Sequence, residues 1–321
     1  MRRLCPGPAL LITTALALCA AGSAGCSGPG LTPAGASTRS PSPSASTRPA
    51  PRIRPSTTSS RSSSAPSRRH RQHRGPCTSA THPSLAARIS RGIARALRGR
   101  LSVVGLTADD PGLGLSCRLH PWQEFHSASV VKVIILAALL RELQSDHDDL
   151  TSDQAALARA MITESSNAAA SELWAEVGQA GLSGFLTAAG MTRTELGPGG
   201  YWGLTEVNPH DEMLLLRLLI TPNRVLDRWS RDCALRLMAA VIPDQRWGVA
   251  AGAAAGVTAH LKNGWLPDPE LWVINSIGDF TRARGGDYSI AVLTMDNPSM
   301  DYGITTVEDV STVINQALAA G

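Results

Sequence analysis

Phe125-His126-Ser127-Ala128-Ser129-Val130-Val131-Lys132, followed without interruption by Val133-Ile134-Ile135-Leu136-Ala137-Ala138-Leu139-Leu140, decides the fold. The second half is apolar on every side of a helix, which predicts a helix enclosed by protein rather than one lying on a surface. Ser129 and Lys132 stand three residues apart at its head, so their side chains share one face. A serine hydroxyl needs a neighbouring base to become a nucleophile, and a lysine in a dry first turn can give up its proton and act as that base. The helix N-terminus adds backbone N–H groups aimed at an oxygen that becomes negative.

Lys132 and Lys262 are the only lysines among thirty basic residues. Every other positive charge is arginine, whose guanidinium does not lose its proton in a protein. Both lysines sit in short motifs, the second being Lys262-Asn263-Gly264 within a β-like run. A chain that places lysine only there is using its capacity to become neutral.

Outward from this stretch, apolar spacing predicts a helix over 83–99 and two short strands at 101–106 and 113–119, parted by Asp109-Asp110-Pro111-Gly112. Helical periods fill 127–242, at 130–144, 153–163, 168–176, 210–220 and 226–241. Strands follow at 257–263, 271–277 and 288–295, then an amphipathic helix carrying Val307, Val310, Ile314 and Leu318. The order implies an α+β fold: an antiparallel five-stranded sheet built from both ends of the domain, flanked by N- and C-terminal helices, with an all-helical lobe inserted.

Residues 1–26 read as a signal peptide, a charged start before a short apolar centre and small residues. Ser23-Ala24-Gly25-Cys26 resembles a lipobox, so lipid attachment at Cys26, tethering the chain to a membrane, and simple secretion are both open. Residues 27–76 are rich in Ser, Pro and Arg and read as a disordered tether, leaving 77–321 as the folded domain. Eleven arginines and no acid precede residue 77, so the whole-chain charge of +4 leaves −7 for the remainder. That acidic domain, with no aromatic residue in the basic tether, excludes a nucleic-acid partner. Of the cysteines, Cys5 and Cys19 are expected to leave with the signal; one pair among Cys77, Cys117 and Cys233 could close, and the sequence does not choose it. No histidine or cysteine spacing suits a metal, no dinucleotide loop is present, and no cofactor is expected.

A second motif, Ile162-Thr163-Glu164-Ser165-Ser166-Asn167, falls between the other two. Together the three resemble, in order and relative location, the motif set of class A β-lactamases and the related penicillin-binding proteins, over about Ser79 to Ala319. The resemblance implies that Ser129 is acylated, Lys132 removes its proton, and Ser165 relays a proton to the leaving nitrogen. Asn167 would hold the substrate's amide side chain. Lys262 would attract the substrate carboxylate and lower the pKa of Lys132, Asn263 would donate near that carboxylate, and Gly264 completes the motif. The N–H groups of Ser129 and Trp265 would form the oxyanion hole.

Three departures stand out. Ser166 replaces a usual Asp that braces the loop, and Asn263 replaces a usual Thr or Ser. The Glu-x-x-Leu-Asn segment that holds a deacylating water is absent, and Glu195 and Glu206 lack the Leu and Asn that would mark either as its base. The expected activity is therefore that of an exported, monomeric serine hydrolase on β-lactams or D-alanyl cell-wall peptides, with slow deacylation. A non-catalytic binding or sensor domain and a general esterase are the alternatives.

Overall fold

The computed structural model describes Cys5 and residues 75–283 and 286–319. The expected signal peptide with Cys26, and the tether up to residue 74, lie outside these residues apart from Cys5. The chain divides into one unit of Met1–Ala9 with Gln72–Gly321 and another of Leu10–Arg71, and all described residues belong to the first. No described helix is long and apolar enough to cross a membrane.

In chain order the elements are β1 (Cys77–Ser79), α1 (Pro83–Ala96), β2 (Val103–Asp110), β3 (Leu115–Leu119), β4 (Phe125–His126), α2 (Val131–Asp146), α3 (Ser152–Thr163) and α4 (Asn167–Ala189), then β5 (Glu206–Val207), α5 (Pro209–Ile220), α6 (Arg228–Ala239), β6 (Thr258–Asp268), β7 (Leu271–Thr281), β8 (Tyr288–Asn297) and α7 (Met300–Ala319). The large sheet is antiparallel, in the order β1-β3-β2-β8-β7-β6, so both ends of the domain contribute to it. The α+β architecture is as expected, but the sheet has six strands. The additional one, Cys77-Thr78-Ser79, is too short and polar to announce itself in sequence. It is fixed to β3 by register and covalently, Cys77 lying opposite Cys117 and joined to it by a disulfide.

Strand alternation divides the core in two. On β8, Ile290 and Val292 face the layer of α1 and α7, while Ala291 and Leu293 face the helical lobe. Helix α1 starts with Pro at its first position and buries Leu85, Ile89 and Ile93 against α7, which buries Val307, Val310, Ile314 and Leu318. Helix α2 runs through the lobe's centre, and every residue from Val131 to Leu140 is buried. Each large aliphatic side chain enclosed this way contributes roughly 1.5–3 kcal/mol, so the head of α2 is held rigidly.

The lobe is not purely helical. Strands β4 and β5 pair in a two-stranded ribbon, Phe125 opposite Val207 and His126 opposite Glu206, which ties the segment before Ser129 to a loop between α4 and α5. A two-residue strand carries no alternation to read, which is why the ribbon is invisible in sequence. Helix α4 breaks at Gly178, whose φ of 67° and extended ψ no helical residue adopts. In the intact chain Cys5, expected to leave with the signal, is bonded to Cys233 on α6.

Candidate active site

Ser129 lies in a 3-10 turn, Ala128–Val130, that runs directly into α2. Its residue is half-buried, whereas Lys132, one turn on, is fully buried. The turn is fastened on three sides. Ser127 N–H donates to Thr205 O at 2.8 Å, and Asn275 Nδ2, from the middle of β7, donates to His126 O at 2.8 Å and Ser127 O at 3.2 Å. Ala128 is held at a φ of 47°.

Strand β6 supplies the third side. A methyl group on Gly264 would lie 2.8 Å from Ser129 N, 2.9 Å from Ser127 O and 3.0 Å from Val130 N, so only glycine lets the strand pass so close. Since β6 is an edge strand, the backbone groups on its outer side are not used by a further strand. This brings the Ser129 amide and the strand carrying Trp265 together at one point.

Ser165 connects the two lysines. It sits between α3 and α4 at a φ of 57°, a backbone state that costs a non-glycine residue on the order of 1 kcal/mol and that turns both its carbonyl and its hydroxyl to one side. Lys132 Nζ donates to Ser165 O at 2.7 Å, Ser165 Oγ at 3.1 Å and Asn167 Oδ1 at 2.8 Å. Lys262 Nζ donates to the same Ser165 Oγ at 3.0 Å and to Asn263 O at 2.9 Å. Burial brings the Lys132 ammonium down to about 7 from its ordinary 10.5. Lys262 is pushed well below its ordinary value by burial first and by the Lys132 charge second. The repulsion between the two ammonium groups is mutual, and burial is the larger cause for both.

Asn263 departs from expectation. Its side chain is buried on the opposite face of the strand, where Nδ2 donates to Gln245 O and Trp247 O at 2.8 and 2.9 Å and Oδ1 accepts from Ser276 Oγ at 2.6 Å. An amide fully engaged there is not a donor to a bound carboxylate. Trp265 likewise packs its side chain beside Trp247, leaving only its backbone toward the cleft edge. Ser166 takes on a bracing role by capping α4, its Oγ accepting from Ala169 N at 3.3 Å.

Glu195 and Glu206 close the neck of a loop by paired backbone hydrogen bonds of 2.9 and 2.8 Å. Inside this loop Trp202, not a carboxylate, faces the site, its ring centre 4.7 Å from Lys132 Nζ and its Nε1 donating to Ser171 Oγ at 3.1 Å. Sequence reasoning assigns Trp202 no contact with Lys132 and leaves Ser171, Thr205 and Asn275 without roles. Asn275 does carry a signal, since it and Ser276 interrupt the apolar run at 271–277, and a polar residue there must find a buried partner.

A sequence profile described as the β-lactamase enzyme family matches residues 153–318, more than half of the chain. The chain belongs to the β-lactamase enzyme family. Its fold is the one seen in solved class A β-lactamases and in PBP-A. A β-lactamase from Sphaerobacter thermophilus superposes with a TM-score of 0.63 at 21% identity, covering 73% of this chain and 98% of that one. A class A β-lactamase representative from Bacteroides cellulosilyticus gives 0.64 at 16%, covering 74% and 99%. PBP-A gives 0.64 at 21%, covering 74% and 97%. No curated protein matches the chain by sequence.

Proposed function

We propose that this β-lactamase-family chain is an exported serine acyl hydrolase, acylated at Ser129 by β-lactams or D-alanyl cell-wall peptides and slow to release the acyl group. One observation carries the reading: the chain's two lysines converge on the hydroxyl of Ser165 beside the head of α2. In neutral form Lys132 takes the Ser129 proton as Oγ attacks the acyl carbon. Negative charge develops on the acyl oxygen against the N–H groups of Ser129 and Trp265. The proton passes from Lys132 through Ser165 Oγ to the leaving nitrogen, and the carbon–nitrogen bond breaks. Lys262 keeps the relay hydroxyl in place and supplies positive charge for an anionic substrate.

Release of the acyl group needs a water and a base to activate it. The loop presents an indole to Lys132 and keeps Glu195 and Glu206 at its neck, which supports slow release. The relative PBP-A, in mutant form, has been captured as an acyl-enzyme complex with penicillin G. Incubation with a labelled penicillin should add one covalent mass to the wild type and none to Ser129→Ala; equal labelling of both, or none of either, overturns the proposal. A binding or sensor domain is the second reading, favoured by the commitment of Asn263 away from the cleft. A binder should keep its ligand affinity when Ser129 is replaced.

A further inference from the structure

Lys132 has no solvent exposure, and its three ammonium protons are given to Ser165 O, Ser165 Oγ and Asn167 Oδ1. Another side of the amine is covered by the ring of Trp202, centred 4.7 Å from Nζ. Trp202 is itself only half-buried, so its ring is the layer between the amine and water. The ring is braced: Nε1 donates to Ser171 Oγ on α4 at 3.1 Å, and Trp202 O accepts from Ser127 Oγ at 3.4 Å. We propose that Trp202 is a positioning residue for the acylation step, its indole being the cover that shuts water away from Lys132 and keeps the amine in the dry state a base requires.

The charged group facing Lys132 is Lys262 from β6. The 3-10 turn before α2 carries Ser129, α4 contributes Asn167 to the amine and Ser171 to the indole, and the loop contributes Trp202, none of them charged; no carboxylate is hydrogen-bonded to the amine among the described residues. An aromatic face over an ammonium acts in two opposed directions. Its quadrupole favours the cation, by about one and a half pH units for a desolvated pair. Its bulk excludes water and disfavours the cation, and burial here lowers Lys132 from 10.5 to about 7. On this proposal the ring's share of the dry environment exceeds its quadrupole, so opening the cover raises the pH at which the amine becomes neutral.

The inference rests on Lys132 being the base, but its readout needs no turnover. With only two lysines in the chain, protein labelled with ¹³Cε-lysine gives two side-chain signals, assigned with Lys262→Arg. In Trp202→Ala the Lys132 titration midpoint should rise by about one unit or more. Trp202→Phe, which keeps an aromatic cover, should stay near the wild type. Ser171→Ala, which frees the indole without removing it, should give a smaller rise and decides the matter if Trp202→Ala does not fold. An unchanged or lowered midpoint in Trp202→Ala, or in Ser171→Ala where that variant decides, overturns the proposal. Should the wild type take up no penicillin, the acylation reading fails, while the titration still decides the role of Trp202.

Discussion

Lys132 and Lys262 meet at a single atom, the Oγ of Ser165, at 3.1 and 3.0 Å. Burial lowers both ammonium groups below their ordinary value, and the charge of Lys132 lowers Lys262 further. It also gives the site a sharp dependence on pH.

With Lys132 lowered to about 7, its neutral fraction rises roughly tenfold between pH 6 and pH 8, and the acylation rate of Ser129 should follow. Folding stability moves in the same direction. The unfolded chain holds this proton up to its ordinary 10.5 while the folded protein loses it near 7, so stability rises with pH across that window. A penicillin-labelling rate that is flat from pH 6 to 8 would remove Lys132 from the role of base. Lys132→Arg, always charged, should lose acylation at every pH.

Gly264→Ala tests the contact between β6 and the nucleophile. The new methyl would press on three backbone atoms, Ser129 N, Ser127 O and Val130 N, none of which can rotate away. The strand must shift and carry the Trp265 N–H with it. Labelling should slow by a factor of about 10² to 10³, with a stability loss of about 1–3 kcal/mol. Unchanged labelling would show that this strand does not position the reacting carbonyl.

How much of this is legible in sequence follows from which interactions are local. Ser129 and Lys132 share a helical turn, and the apolar run behind them declares its own burial, so their relation can be read directly. Strand alternation also contains the correction for Asn263: if Lys262 and Gly264 face the nucleophile, the residue between them faces away. Trp202 is different. It reaches Lys132 only because Glu195 and Glu206 pair across the neck of its loop, and no periodicity encodes a contact between residues 70 apart in the chain. The strand β1 is legible only through Cys77, and only once Cys117 is known to lie opposite.

Glu212 offers a prediction apart from catalysis. It lies in the first turn of α5, completely buried, with neither carboxyl oxygen hydrogen-bonded among the described residues. Burial, and secondarily the charge on Asp211, push its pKa up to about 8. The unfolded chain ionises this group near 4.5 while the folded protein holds its proton to about 8, so stability falls as pH rises through that interval, by on the order of 4 kcal/mol. Glu212→Gln has no proton to lose. In urea unfolding it should match the wild type near pH 5 and exceed it increasingly up to pH 8.5; a difference independent of pH would mean that the carboxyl is not the source.

The disulfides can be tested against export. Cys77–Cys117 staples β1 to β3 at the edge of the sheet opposite β6, across a separation of 40 residues. Replacing both cysteines by serine should cost about 4 kcal/mol in the chain-entropy account and lower Tm by on the order of 10 °C, while leaving acylation at Ser129 intact. Cys5–Cys233 stands differently, because processing before Cys26 would remove Cys5 and leave the buried Cys233 as a thiol. Non-reducing peptide mapping of protein recovered from the exported fraction, alkylated after denaturation, should therefore find Cys77 linked to Cys117 and Cys233 alkylated. Recovery of a Cys5–Cys233 peptide from that fraction would show that the amino terminus is retained, and with it that neither secretion by cleavage nor lipid attachment at Cys26 has occurred.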